Sequence, residues 1–183
     1  MNSFRLDRQD AAVLIVDIQE RLAGAMDSQK LERAVNRTLA LIRGARTLGI
    51  PVVYTEQYPK GLGPTLDVLR EAMGPDAPRF EKVAFSSVSP EVLAAFQHRK
   101  QILVAGMESH ICVFQTIRDL QQKGFLAVLC RDAVLSRTEE DRLAGIDLAR
   151  DFGALVTTVE GALFDLLGRA GTPEFKAISQ AVK

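Results

Sequence analysis

Short, nearly all-apolar runs alternate along the chain with longer amphipathic segments. That alternation predicts βαβ units built around a parallel sheet. Ala11 to Val16 (AAVLIV) has no polar position, as expected of a strand covered on both faces. Leu31 to Leu48 places Val35, Leu39, Ile42 and Ala45 at helical spacing, with Gly49 as the stop and Pro51 opening a strand from Val52 to Thr55. Glu56 to Arg79 is rich in proline and reads as loop with one short helix, followed by a strand near Phe80 to Val83. Ser89-Pro90-Glu91 has the hydroxyl cap and first-position proline of a helix start. Ile102 to Ala105 predicts another strand, His110 to Lys123 a helix closed by Gly124, and Leu126 to Cys130 a further strand. Ser136-Arg137-Thr138-Glu139 has capping-box spacing and predicts a helix to about Phe152. Ala154 to Thr157 gives a last strand and Thr172-Pro173 a terminal helix. No linker, repeat or low-complexity tract interrupts the series, so residues 1–183 are expected to form a single α/β domain.

Composition narrows the function classes. Basic and acidic residues balance at 23 each, which argues against a general nucleic-acid binder, because such a protein needs net positive charge to displace phosphate counterions. The N-terminal residues are charged rather than apolar, and no apolar run approaches the roughly 20 residues that cross a bilayer. With only two cysteines, Cys112 and Cys130, a disulfide scaffold is not expected, and a reducing cytoplasm is the natural compartment.

In open parallel sheets ligands bind beyond the carboxyl ends of the strands, where strand order reverses. Three reactive side chains fall just after predicted strands: Asp17, Lys82 and Cys112. Cys112 stands near the start of a predicted helix, where the dipole and free N–H groups favour a thiolate and could form an oxyanion hole. The competing reading is a buried apolar cysteine, which is also the reading for Cys130 inside its aliphatic strand. Asp17 suits a general base for the thiol, and Lys82 could pair with it; a turn-forming carboxylate and a solvated lysine are the alternatives. Gln19, Tyr54, Gln57, Tyr58, Phe85 and Phe114 are candidates for lining the substrate pocket, with packing as the other possibility. Gly61-Leu-Gly-Pro64 matches neither a phosphate loop nor a dinucleotide fingerprint, and no Gly-x-Ser-x-Gly elbow is present.

Taken together, these segments resemble the isochorismatase-like cysteine hydrolase superfamily. The resemblance runs through Val13-Leu-Ile-Val-Asp-Ile-Gln19, Phe80-Glu-Lys-Val-Ala-Phe-Ser86 and, most specifically, Val104-Ala-Gly-Met-Glu-Ser-His-Ile-Cys-Val-Phe-Gln-Thr116. Gly124 and Asp132-Ala133 extend it. Thr55-Glu-Gln-Tyr-Pro-Lys-Gly-Leu-Gly-Pro64 and Gly161-Ala-Leu-Phe-Asp-Leu-Leu167 are similar to the isochorismatase domain-containing branch.

The resemblance implies a three-layer, Rossmann-like fold with a six-stranded parallel sheet in the order 3-2-1-4-5-6. It also implies an Asp17-Lys82-Cys112 triad, and a cis peptide at Met107–Glu108 that aims the Glu108 N–H, with that of Cys112, at an oxyanion. Departures from better-known branches shape the functional expectation. Where nicotinamidases carry an aspartate-and-histidine metal site, this chain has Glu56-Gln57-Tyr58, and its only histidines are His98 and His110. No metal and no cofactor are therefore expected. Isochorismatases can lack the cysteine, because vinyl-ether hydrolysis needs a proton donor, so Cys112 favours attack at a carbonyl-like carbon. The resulting expectation is a cysteine-dependent hydrolase of small molecules acting at an amide or related C–N bond. Isochorismatase-type ether cleavage and a non-catalytic binding or scaffold role are the alternatives. A homo-oligomer is implied by the family; neither nucleic acid nor a membrane is an expected partner.

Overall fold

The computed structural model describes residues 5–183. Six strands, β1 (Ala11–Val16), β2 (Val52–Gln57), β3 (Arg79–Lys82), β4 (Gln101–Met107), β5 (Leu126–Leu135) and β6 (Leu155–Thr157), form one sheet in the order β3-β2-β1-β4-β5-β6. All five pairings are parallel. The order reverses between β1 and β4, so the crevice opens beyond Val16 and Gly106, which lie side by side in the register.

The alternation of β1 explains the layers. Ala11, Val13 and Ile15 join an aliphatic core beneath α2 (Ser28–Thr47), α8 (Val159–Leu167) and α9 (Pro173–Ala181). Ala12, Leu14 and Val16 join a second core beneath α5 (Pro90–Ala95), α6 (Phe114–Gln122) and α7 (Glu139–Asp151). Both faces are covered, so all six β1 residues are buried and none is polar. In α2 the apolar stripe containing Ala34, Leu41, Ile42 and Ala45 is buried, and the Asp27 side chain caps its start by accepting from the Lys30 N–H at 3.0 Å. Among the described residues, no helix is long and apolar enough to cross a membrane.

Several expectations are corrected. The proline-rich stretch holds two short helices, α3 (Pro59–Leu62) and α4 (Asp67–Met73), not one, and a further short helix, α1 (Glu20–Ala23), follows β1. The segment expected as a helix from His110 begins as a π-helical turn, Ser109–Val113, and becomes α-helical at Phe114. Strand β5 continues past Cys130 through a register shift: Val104 pairs with Leu129, but Gly106 pairs with Val134. Asp132, inside that shift, accepts the Val159 N–H at 2.8 Å and so anchors the start of α8, a helix the apolar pattern did not reveal. Helix α7 is capped by Thr138 instead of Ser136, whose hydroxyl faces the π turn.

Candidate active site

Asp17 takes the first position after β1 with φ +53, a left-handed conformation that a short carboxylate side chain tolerates. Its N–H donates to the Thr55 carbonyl at 3.2 Å, the last bond between β1 and β2 at the strand end. The carboxylate is fully buried. Oδ1 accepts from the Thr55 hydroxyl at 2.8 Å, and Oδ2 lies 2.6 Å from Lys82 Nζ.

Lys82 ends β3, paired in register with Gln57. Its ammonium also faces Gln57 Oε1 at 2.7 Å, the Phe85 carbonyl at 2.8 Å and the Ala84 carbonyl at 3.2 Å. With Asp17 that makes more acceptors than the three N–H bonds an ammonium carries, and it fixes a side chain that would otherwise swing in solvent.

Cys112 reaches the same point from the other side of the crevice. Gly106 has φ +142, and a Cβ there would stand 2.1 Å from the Val16 carbonyl oxygen, so only glycine lets β4 pass β1 at this level. The Met107–Glu108 peptide is cis. The π turn follows, pressed against α7 at Gly145, where a Cβ would meet the Ser109 carbonyl carbon at 2.4 Å. Cys112 is buried, at 6% exposed, and lies close enough to Asp17 and Lys82 for both charges to act on its thiol.

The electrostatics differ from the sequence expectation of a thiolate favoured by a helix dipole. Burial, reinforced by the Asp17 charge and only partly offset by Lys82, pushes the Cys112 thiol up to about 12. Cys112 lies in the π turn upstream of α6, and the loss of water outweighs the dipole. Asp17 is raised from the ordinary carboxylate range as well, first by burial, against the lowering effects of Lys82, Thr55 and Cys112. Burial thus favours the protonated form of both the thiol and the carboxyl. Cys130, wholly buried in β5, is also pushed up by burial.

The remaining sequence candidates separate. Gln19 is buried and spent on the framework: its amide donates to the Gln57 and Gly63 carbonyls and accepts from the Gln57 N–H at 3.0, 2.7 and 2.7 Å. Gln57 holds Lys82 and donates to the Val83 carbonyl at 2.9 Å. Tyr54 packs into the core beneath α2, and Phe114 stacks edge-on against Phe152 with ring centroids 5.9 Å apart. Phe85 and Tyr58 are exposed, and Phe85 contributes its carbonyl to Lys82. A cleft of about 350 Å³ lined by Tyr58, Pro59, Lys60, Glu81, Lys82 and Val83 opens at the outer side of Lys82. Glu108 is buried and accepts from Arg137 Nε at 3.0 Å.

Three hydroxyl residues at the site were not anticipated: Thr55, Ser87 and Thr116, all buried. Each reads in sequence as an ordinary strand, loop or helix position, and only their convergence marks them. A second arrangement looks catalytic in outline: His110 Nδ1 is 3.1 Å from Ser136 Oγ and Nε2 is 3.8 Å from Asp141 Oδ1. Ser136 is buried and shared with the Ser109 N–H and hydroxyl at 3.1 and 2.6 Å, so this cluster ties the π turn to α7. Among the described residues, no three His, Cys, Asp or Glu side chains gather as metal ligands.

The six-stranded parallel sheet in the order 3-2-1-4-5-6, with helices around it, is the architecture of the isochorismatase-like hydrolases. The chain belongs to the isochorismatase domain family, whose model matches residues 11–161. The secreted isochorismatase effector Isc1 of Phytophthora sojae (strain P6497) is 36% identical over 185 residues, covering 98% of this chain and 87% of that protein. Among solved structures, MAR1 ribonuclease from Caenorhabditis elegans superposes with a TM-score of 0.92 at 32% identity, covering 98% of this chain and 92% of that one. The YcaC gene product of Escherichia coli, described as an octameric hydrolase of unknown specificity, superposes with a TM-score of 0.88 at 25% identity, covering 99% and 92%.

Proposed function

We propose that this protein is a cysteine hydrolase of small molecules that cleaves an amide or related C–N bond through a thioester on Cys112. The observation that carries the reading is the buried Asp17–Lys82 pair, 2.6 Å apart, with the buried Cys112 thiol placed where both charges act on it. Asp17 takes the thiol proton as sulfur attacks the carbonyl carbon. The Glu108 and Cys112 N–H groups receive the oxyanion. The C–N bond breaks as Asp17 returns the proton to the leaving nitrogen. Water, deprotonated by Asp17, then attacks the thioester, and the carboxylic acid leaves as the thiol is reformed. Lys82 holds negative charge at Asp17 and sulfur throughout.

A protein with balanced charge suits a small-molecule substrate better than a polynucleotide. Both cysteines are free, which accords with a cytoplasmic setting, and the octameric neighbour supports a homo-oligomer. Turnover on a panel of small amides is expected to fall at least about a thousandfold in Cys112→Ala, since the nucleophile itself is removed. Full activity in that variant would sink the thioester mechanism.

The raised Asp17 carboxyl favours one second reading, vinyl-ether cleavage with Asp17 as general acid. Under it, pyruvate release from isochorismate survives the loss of the thiol. Absence of turnover across the panel, with no acyl group forming on Cys112 from an activated ester, would indicate a binding or scaffold protein instead.

A further inference from the structure

Behind the triad, a line of buried hydroxyls joins the carboxylate to the backbone of the cysteine without passing through Lys82. The Thr55 hydroxyl lies 2.8 Å from Asp17 Oδ1 and 3.0 Å from Ser87 Oγ. The Ser87 N–H donates to Thr116 Oγ1 at 2.9 Å, and the Thr116 hydroxyl donates to the Cys112 carbonyl at 2.7 Å. Thr55, Ser87 and Thr116 are each at most 2% exposed, so water does not compete for these groups.

The direction of every proton follows. A carboxylate only accepts, so the single Thr55 proton is committed to Asp17. In the contact between the two hydroxyls Ser87 is then the donor, and Thr55 accepts. Thr116 gives its proton to Cys112 and accepts from Ser87. The chain of donors thus ends on the Asp17 carboxylate at one side and on the Cys112 backbone at the other, drawing on β2, the loop after β3, and α6. The titratable groups facing Asp17 are Lys82 from β3 and Cys112 from the π turn. The hydroxyl line gives the carboxylate one donor, the Thr55 hydroxyl, without adding charge.

We propose that Thr55, backed by Ser87, is a positioning residue that holds Asp17 in its ionised, proton-accepting form and sets its distance from Cys112. The inference rests on the reading of Asp17 as the base for the thiol. Asp17 loses most of its hydration on burial, and each hydrogen bond to the carboxylate replaces part of it. Removing the Thr55 donor makes the carboxyl bind its proton more tightly, so a higher pH is needed before it can activate the thiol.

The test needs no substrate: the rate of Cys112 alkylation by iodoacetamide is followed against pH by peptide mapping. Cys130, wholly buried, serves as the internal report of unfolding. Wild type is expected to show an acidic limb set by Asp17, and Asp17→Asn to lack it. In Thr55→Val the limb should move up by about one pH unit, the effect of losing one hydrogen bond to a charged group. Thr55→Ser should restore it, and Ser87→Ala should move it the same way by less. If Thr55→Val does not fold, Ser87→Ala decides, with an unmoved limb counting against the proposal. A limb in Thr55→Val that coincides with wild type, or a loss of rate by one factor at every pH, overturns the positioning role alone. An acidic limb that persists in Asp17→Asn overturns both the positioning role and the base assignment.

Discussion

Lys82→Met is expected to destabilise the protein by about 3–5 kcal/mol near neutral pH, measured by urea denaturation, and to slow alkylation of Cys112 further. The reason is the state in which the substitution leaves Asp17. In the intact protein the carboxylate is fully buried and faces an ammonium at 2.6 Å, itself surrounded by Gln57 and two backbone carbonyls. Methionine fills a similar volume but strands the charge, and the Gln57 and carbonyl acceptors lose their donor as well. Breaking a buried pair on one side costs far more than the pair contributes net.

The pH dependence has a definite sign. Asp17 in the folded protein is raised above the ordinary carboxylate range, so the folded state holds its proton more tightly than the unfolded chain does. Such a carboxyl makes stability fall as pH rises from the unfolded value through the folded one. Lys82 is the largest influence pulling Asp17 back down, so its loss extends that window upward. The deficit of Lys82→Met is therefore greatest near neutrality and shrinks as the solution is acidified and Asp17 protonates. A variant as stable as wild type at neutral pH, or one whose deficit grows on acidification, would contradict the buried-pair account.

Gly106→Ala is expected to be at least as damaging, with a loss of about 4 kcal/mol or more and a proportionate fall in the denaturation midpoint at unchanged slope. Its φ of +142 is one that side chains rarely adopt, and the added carbon would fall 2.1 Å from the Val16 carbonyl oxygen. The obstacle is backbone, in the central pair of the sheet, so no rotamer change relieves it. To make room, β4 must draw away from β1, and that separates Asp17 from Cys112. Alkylation of Cys112 should therefore lose its acidic limb even in whatever fraction stays folded. Stability within about 1 kcal/mol of wild type would show that the β1–β4 approach is looser than described.

How much was legible in the chain depended on what each segment's side chains must satisfy. The all-apolar run Ala11 to Val16 has the same bounds in the structure, because a strand covered on both faces leaves no polar position to blur its ends. The turn that carries Cys112 was not legible as π-helical. Its geometry answers to tertiary contacts, with Gly145 of α7 against its backbone and Ser136 taking the Ser109 N–H. The apolar run predicts an end to β5 at Cys130 because Arg131 and Asp132 interrupt it, yet the strand continues, with Asp132 anchoring α8. Asp17, Lys82 and Cys112 stood out in sequence as reactive groups at strand ends, where the topology gathers them. Thr55, Ser87 and Thr116 did not. A hydroxyl in a strand or helix carries no sign of its partner until the fold supplies one. For the same reason Gln19 and Gln57 could be mistaken for pocket residues, when their amides are consumed in fixing Lys82 and the loop beside it.

The central claim is that Cys112 forms the covalent bond, with Asp17 as its base. The most direct measurement offers the protein an activated acetyl ester, p-nitrophenyl acetate, quenches the reaction in acid during turnover, and locates any acetyl group by peptide mass spectrometry. The account predicts an acetyl group on Cys112 in wild type, none on Cys130, and strongly reduced labelling in Asp17→Asn. Continued turnover with Cys112 unmodified, or labelling of Cys112 that is unchanged in Asp17→Asn, would contradict it.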